Sequence, residues 1–274
     1  MRIVTLLENN VSPHAAGATN ADELTSAHGL SLYLETTSHR ILFDMGPGDE
    51  FARNARNLSI DLAAVDLAAI SHGHYDHGRG LATFLSLNPT APFYTTARAF
   101  ENHYSEAGWI GLDPQLEHHP QHRIAQPIEE IAPGITLFSN VDHHDLPSPA
   151  NDCLCDDAGL DHFEHEQNLL IAEDDSLVLI GGCAHRGIVN ILEAAKSIAG
   201  HYPDIVISGF HLAIGGEGAC AVDDAYLDEF AARLMTTGAT FYTGHCTGSE
   251  AYERLATRMG EALHPCNTGD EIIV

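Results

Sequence analysis

The sequence predicts an α/β domain, on three observations. Apolar runs with strand pattern alternate with segments of helical periodicity from one end of the chain to the other. At 274 residues and 44% hydrophobic content the chain can bury a large core, which is aliphatic because aromatics make up only 7%. Several strand-patterned runs end in His, Cys or Asp, as expected where the strand ends of a sheet carry a binding edge.

Taken in order, Arg2 to Leu7 reads as a first β-strand, too short and too polar afterwards for a signal peptide. Leu30–Glu35 and Arg40–Asp44 flank the polar turn Thr36–His39 and read as a hairpin. Further strands are expected at 66–70, 92–95, 135–138, 168–172, 176–181, 204–208 and 239–243. Helices are expected at 50–57, 79–87, 97–106, 187–199, 223–236 and 249–261. Ile188, Ile191, Leu192, Ala195 and Ile198 keep one apolar face at helical spacing, as do Tyr226, Phe230 and Leu234. No linker, fixed-period repeat or low-complexity tract interrupts the chain, so residues 1–274 read as one domain. The stretch 108–165 is rich in His, Asp, Pro and Gly and reads as long excursions, a candidate lid or substrate loop. Cys153 and Cys155 within it form a weak metal-binding pattern and read first as loosely packed thiols.

Charge narrows the function classes. The chain carries 39 acidic against 12 basic residues, a net charge of -27. Such a surface repels nucleic-acid backbones and anionic membranes, and points to a solubility- or salt-adapted protein with a small-molecule substrate. No apolar run reaches membrane-spanning length. Six cysteines without disulfide-scaffold spacing suggest reduced thiols and a cytoplasmic location. A homo-oligomer is left open. Among 19 histidines, the pairs His118-His119 and His143-His144 read as polar loop residues.

The chemistry concentrates in Ser71-His72-Gly-His74-Tyr-Asp76-His77, after the apolar run Val65–Ile70 and before the helical pattern Leu81–Leu87. Residues two apart in an extended segment point the same way, so His72 and His74 suit one ion. Asp76 and His77 fall where the chain turns into a helix and suit a second. Other strand ends repeat the logic: Asp44; Cys183 with His185; His211; and His245 with Cys246. Imidazole and carboxylate ligands favour zinc, with manganese or iron as alternatives.

Ser71-His-Gly-His-Tyr-Asp-His77 resembles the signature of the metallo-β-lactamase superfamily, and Asp44 matches that superfamily's strand-end aspartate. Glu8-Asn9, Glu166-Gln-Asn-Leu169, Gly182-Cys-Ala-His-Arg-Gly-Ile-Val-Asn-Ile191, Gly209-Phe-His-Leu212 and Gly244-His-Cys-Thr-Gly248 resemble the branch of dihydropterin ribofuranosyl-aminobenzene phosphate synthase-like proteins. The resemblance implies an αββα four-layer sandwich and two metal ions at one edge of the sheets. It differs from many superfamily hydrolases near His165-Glu166-Gln167, where those carry a ligand His; the branch places its His inside Gly-Cys-x-His, which is His185. The ligand sets this implies are His72, His74 and His185 for one ion, and Asp76, His77 and His245 for the other. Cys183 at the bridging position and His165 are the alternatives to His185.

The implied activity is hydrolysis by a metal-bound hydroxide, on a phosphoester or related small molecule, with a pterin-type substrate suggested by the branch alone. Asp44 would orient a ligand His or the water, Asp76 would share protons, and His211 would donate a proton to the leaving group or bind an anionic substrate. Two other classes compete. One is a di-iron oxidoreductase, disfavoured by His-rich ligation and the lack of a flavin domain. The other is a non-catalytic metal-binding sensor, disfavoured by two complete ligand sets.

Overall fold

The structure is a computed structural model and describes residues 1–13, 15, 23–142, 144–216 and 218–274; His143, read above as a polar loop residue, lies outside them. In chain order the strands are β1 (Arg2–Leu7), β2 (Ser31–Glu35), β3 (Arg40–Phe43), β4 (Leu67–Ala69), β5 (Phe93–Thr95), β6 (His103–Ser105), β7 (Gly108–Trp109), β8 (His122–Ile124), β9 (Ile128–Ala132), β10 (Ile135–Phe138), β11 (Cys155–Asp156), β12 (Gly159–Leu160), β13 (Asn168–Glu173), β14 (Ser176–Ile180), β15 (Ile205–Ile207), β16 (Thr240–Thr243), β17 (Leu263–Pro265) and β18 (Glu271–Ile273). The α-helices are α1 (Glu50–Asn57), α2 (Tyr75–Gly78), α3 (Leu81–Leu87), α4 (Ile188–Ala199), α5 (Asp224–Met235) and α6 (Ser249–Met259). The chain divides into two compact units, Met1–Ala125 with Cys155–Gly159 and Cys266–Val274, and Gln126–Leu154 with Leu160–Pro265.

The first unit is built on a seven-stranded sheet in the order β18-β1-β2-β3-β4-β5-β8. Its β18-β1-β2-β3 part is antiparallel, and β3, β4, β5 and β8 run parallel. The β2–β3 hairpin closes as the polar turn demands: Thr36 Oγ1 accepts the backbone N–H of His39 at 2.8 Å, and Leu32 registers opposite Phe43. Val4, Leu6, Leu42, Phe51, Ala55, Ile70, Phe84 and Phe93 form one buried cluster, to which α1 and α3 give their apolar faces. Each such large side chain removed from water contributes about 1.5–3 kcal/mol.

The second unit is built on a seven-stranded sheet in the order β17-β16-β15-β14-β13-β10-β9. Here β9, β10, β13 and β14 are antiparallel, and β14, β15, β16 and β17 parallel. Parallel neighbours need crossovers, which α4, α5 and α6 supply. These helices bury Ile191, Leu192, Leu227, Phe230, Leu234 and Leu255 with Leu179, Val206 and Phe241 of the sheet. Helix α4 ends where Gly200 turns left-handed at φ 87°. In each unit, parallel strands place consecutive carboxyl ends on one edge, and the candidate residues leave from those ends.

Two sheets, each with its own helices, are the elements of the expected sandwich, and the ten expected strands are present. The helix expected at 97–106 is not: residues 97–100 form a turn and His103–Ser105 is β6, which pairs with β7 (Tyr104↔Trp109) and β11 (Tyr104↔Cys155). Partner strands distant in sequence override the local helical pattern there. No helix among the described residues is long and apolar enough to cross a membrane.

Candidate functional site

In the first unit the site grows from the ends of β3 and β4. Asp44, just past β3, is fully buried and adopts φ 58°, a left-handed conformation Asp tolerates better than most residues. Its backbone is pinned by Asp44 N–H to Ala69 O at 2.9 Å and by Ser31 Oγ to Asp44 O at 2.8 Å. The carboxylate accepts three bonds, each 2.7 Å: from Ser71 N, from Ser71 Oγ and from His77 Nδ1. A carboxylate only accepts, so the Ser71 proton points to Asp44 and the Ser71 oxygen faces His72 Nδ1, 2.8 Å away. His72 and His77 therefore both carry their protons on Nδ1, and each keeps a lone pair on Nε2.

His74 leads into α2 as its N-terminal flanking residue, and Asp76 and His77 fall in the first turn. The rings of His72 and His74 lie 4.5 Å apart and those of His72 and His77 4.2 Å apart. Asp76 Oδ2 is 3.7 Å from His77 Nε2 and 3.3 Å from His28 Nε2. All four residues of the run are buried. Gly73 between the first two histidines has no room for a side chain: a Cβ would stand 2.5 Å from Ala99 O and 2.7 Å from His103 Nε2.

In the second unit the ends of β14, β15 and β16 carry Cys183 with His185, His211, and His245 with Cys246, all buried. The Cys183 sulfur and ring nitrogens of His185 and His211 lie within 4.8 Å of one another, as do the donors of Cys183, His245 and Cys246. His185 is held on several sides. Its ring stacks on Phe163 at 4.5 Å and 5°, and Asn151 takes both its carbonyl oxygen (2.8 Å) and its Nδ1 (2.9 Å). Glu166 receives the backbone N–H of His185 at 2.7 Å and of Arg186 at 2.9 Å. Burial pushes the Glu166 carboxyl up, the two N–H donors oppose it, and the balance leaves it at about 7. Burial likewise pushes the Cys246 thiol up, but its hydrogen bonds to Cys183 and His211 and the neighbouring His245 and His211 rings outweigh this and hold it well below the usual thiol range. His211 adopts φ 47°, its carbonyl accepts from Ser148 Oγ, and its buried Nδ1 meets no hydrogen-bond partner among the described residues.

Both alternative ligands have further donors beside them: His165 Nε2 lies 3.1 Å from the buried Asp161 Oδ2, and Cys183 stands among the donors at the strand ends. Cys153 is half-buried, and its thiol donates to Ala150 O at 3.6 Å. The donor set fits divalent metal: buried imidazoles with proton-bearing Nδ1 atoms engaged by the protein, beside a carboxylate and thiols. Sequence reasoning missed His28, Asn151 and Phe163. None carries a local signal, because each reaches its partner only through the fold.

A family model described as the metallo-beta-lactamase superfamily matches residues 25–193. An uncharacterised protein of Methanocaldococcus jannaschii is 27% identical over 84% of this chain and 87% of its own length. From the same organism, a 7,8-dihydropterin-6-methyl-4-(beta-D-ribofuranosyl)-aminobenzene-5'-phosphate synthase is 26% identical, covering 89% of each chain. A solved structure described as a metal-dependent hydrolase of the beta-lactamase superfamily is 27% identical, with a TM-score of 0.80 over 100% of this chain and 99% of that one.

Proposed function

The chain belongs to the metallo-beta-lactamase superfamily, and we propose that it is a metal-dependent hydrolase acting on a small phosphoester, with a pterin-linked ribosyl phosphate as the first substrate class to test. The observation that carries the hydrolase reading is the enforced imidazole geometry. Asp44, Ser71 and Asn151 occupy the Nδ1 atoms of His77, His72 and His185, so each of these buried rings would ligate through Nε2. The substrate class rests on the name and 26% identity of the synthase relative.

We assign His72, His74, Asp76 and His77 in the first unit and His185 and His245 in the second as metal ligands, with zinc the first candidate and manganese or iron next. Two divalent ions, when bound, supply a water of lowered pKa and polarise the oxygens of the phosphoester. The protein's own residues do the rest. Asp44 holds the His77 proton on Nδ1 and takes no part in binding substrate, because it is fully buried and both its oxygens already accept bonds from protein. Asp76 is placed to exchange a proton with His28. The buried Nδ1 of His211 is the atom assigned to protonate a leaving oxygen or hold an anionic group.

The test is metal analysis after gentle purification, followed by assays of phosphodiester, phosphomonoester, lactam and thioester compounds with Zn, Mn and Fe. At least one equivalent of bound transition metal and turnover of a phosphoester are expected. Under one equivalent and no turnover with any metal would sink the reading.

A further inference from the structure

The stretch Ser148–Phe163 lies inside the excursion that the sequence marks as a lid, yet its side chains reach back to two residues at the sheet's carboxyl edge. Asn151 sits in the short 3-10 turn Pro149–Cys153, which Ser148 caps by accepting Ala150 N–H on its hydroxyl. The Asn151 amide contacts His185, thirty-four residues away, at two points: Nδ2 to the carbonyl oxygen at 2.8 Å, and Oδ1 to ring Nδ1 at 2.9 Å. These two contacts decide the chemistry between them. The His185 carbonyl only accepts, so the amide must present its NH2 group there. The amide oxygen is then forced onto the ring, and an oxygen facing Nδ1 requires the proton on Nδ1. Turning the amide over would set oxygen against oxygen at 2.8 Å. The residue that caps the turn acts on His211, whose carbonyl, at a left-handed φ of 47°, accepts from Ser148 Oγ.

We propose that Asn151 is a positioning residue that locks His185 in the Nδ1–H tautomer and fixes its ring orientation, so that the supposed lid segment builds the site as well as flanking it. This deepens the reading of His185 as a metal ligand and rests on it for its functional meaning. The tautomer itself does not depend on metal. Phe163, stacked parallel on the other side of the ring, restrains its tilt but has no polar atom with which to choose a tautomer. Asn151 Oδ1, facing Nδ1 at 2.9 Å, does make that choice.

The experiment uses the full-length protein with 15N-labelled histidine. Long-range 1H–15N correlation on the metal-free protein reports which His185 nitrogen bears the proton, and competition with a chromophoric chelator reports affinity for Zn(II). Wild type is expected to show Nδ1–H. Asn151→Leu is expected to shift His185 to the Nε2–H form or a mixture, and to weaken zinc binding ~10–100-fold, the usual effect of losing such a supporting contact. Asn151→Asp keeps an oxygen on Nδ1 and is expected to retain the tautomer even if the loop is destabilised, because its second oxygen then opposes the His185 carbonyl. It also serves if the leucine variant fails to fold: Nε2–H in wild type or in Asn151→Asp overturns the proposal. So does an unchanged Nδ1–H signal in a folded Asn151→Leu. A failure of wild type to bind zinc at all would instead count against the proposed function and leave the tautomer result standing.

Discussion

Replacing Asp44 with Asn tests the first unit's hydrogen-bond relay at its root. The backbone tolerates the change, because Asn occupies the left-handed region as readily as Asp and the φ of 58° is preserved. The chemistry does not. Asp44 accepts from Ser71 N, Ser71 Oγ and His77 Nδ1, each at 2.7 Å. An Asn oxygen can keep the Ser71 N–H, but its NH2 group then faces His77 Nδ1 and Ser71 Oγ. His77 must accept there and move its proton to Nε2. The Ser71 hydroxyl, with no carboxylate to receive its proton, turns towards His72 Nδ1 and drives the same change in His72. Ligation through Nε2 would then require two buried donor–donor contacts, at about 1–3 kcal/mol each. The expected loss of zinc affinity is therefore about 100-fold, while three charge-assisted bonds become neutral at a cost of about 3 kcal/mol in stability. Chelator competition measures the first and urea unfolding of the metal-free protein the second. Zinc affinity within threefold of wild type would refute the relay argument, since a variant that keeps the shape but reverses the donors must disturb both histidines.

Three further outcomes are expected. Gly73→Ala places a methyl 2.5 Å from Ala99 O and 2.7 Å from His103 Nε2, so thermal unfolding should reveal a loss of about 1–3 kcal/mol; an unchanged Tm would show that the loop yields freely. Glu166 has its folded pKa raised from 4.5 to about 7, so its contribution to stability is fully present below about 4.5 and is lost as pH rises through about 7. The span corresponds to about 3 kcal/mol. Urea unfolding of metal-free wild type and Glu166→Gln between pH 4.5 and 8 should show wild type losing about 3 kcal/mol relative to the variant as pH rises, and a pH-independent difference would remove Glu166 as the cause. At a net charge of -27, raising KCl from 0.1 to 1 M shortens the screening length from about 10 to 3 Å and should raise the Tm; a flat or falling Tm would refute self-repulsion as a limit on stability.

The sequence carried the centre of each sheet and much less of the edges. Central strands such as β3 and β14 are continuous apolar runs after their first residue, over 41–43 and 177–180, because both faces are covered there. Edge strands such as β8, β9 and β18 are part polar, and their identity comes from the neighbour they pair with: Glu129 and Glu130 in β9 give no strand signal until Leu137 and Thr136 lie opposite. The site divides the same way. His72, His74, Asp76 and His77 announce themselves by density within six residues. Asn151 stands in a segment whose composition suggests only a loop, and His28 lies forty-eight positions from Asp76. Ligands are legible because a metal demands particular side chains at particular spacings. The groups that orient them are not, since any residue able to accept or donate one bond will serve wherever the fold delivers it.

The backbone at the strand ends shows what the fold does with that freedom. Asp44, Ala184, His211 and His245 follow parallel strands β3, β14, β15 and β16, and all four have positive φ, between 47° and 58°. For Ala and His this conformation costs about 1–2 kcal/mol each, so it persists only where neighbouring bonds over-determine it. Such bonds are present at each position: Ser31 on the Asp44 carbonyl, Gly187 N–H on Ala184 O at 2.8 Å, Ser148 on the His211 carbonyl, and Gly248 N–H on His245 O at 3.2 Å. A left-handed residue reverses the chain abruptly, and His211 and His245 are themselves the residues that turn. An ordinary loop could carry the same side chains but would let them swing. Strain at the turn, held by a bond to its carbonyl, therefore does for the backbone of these residues what Asp44 and Asn151 do for imidazole tautomers: it removes alternatives before any ligand arrives.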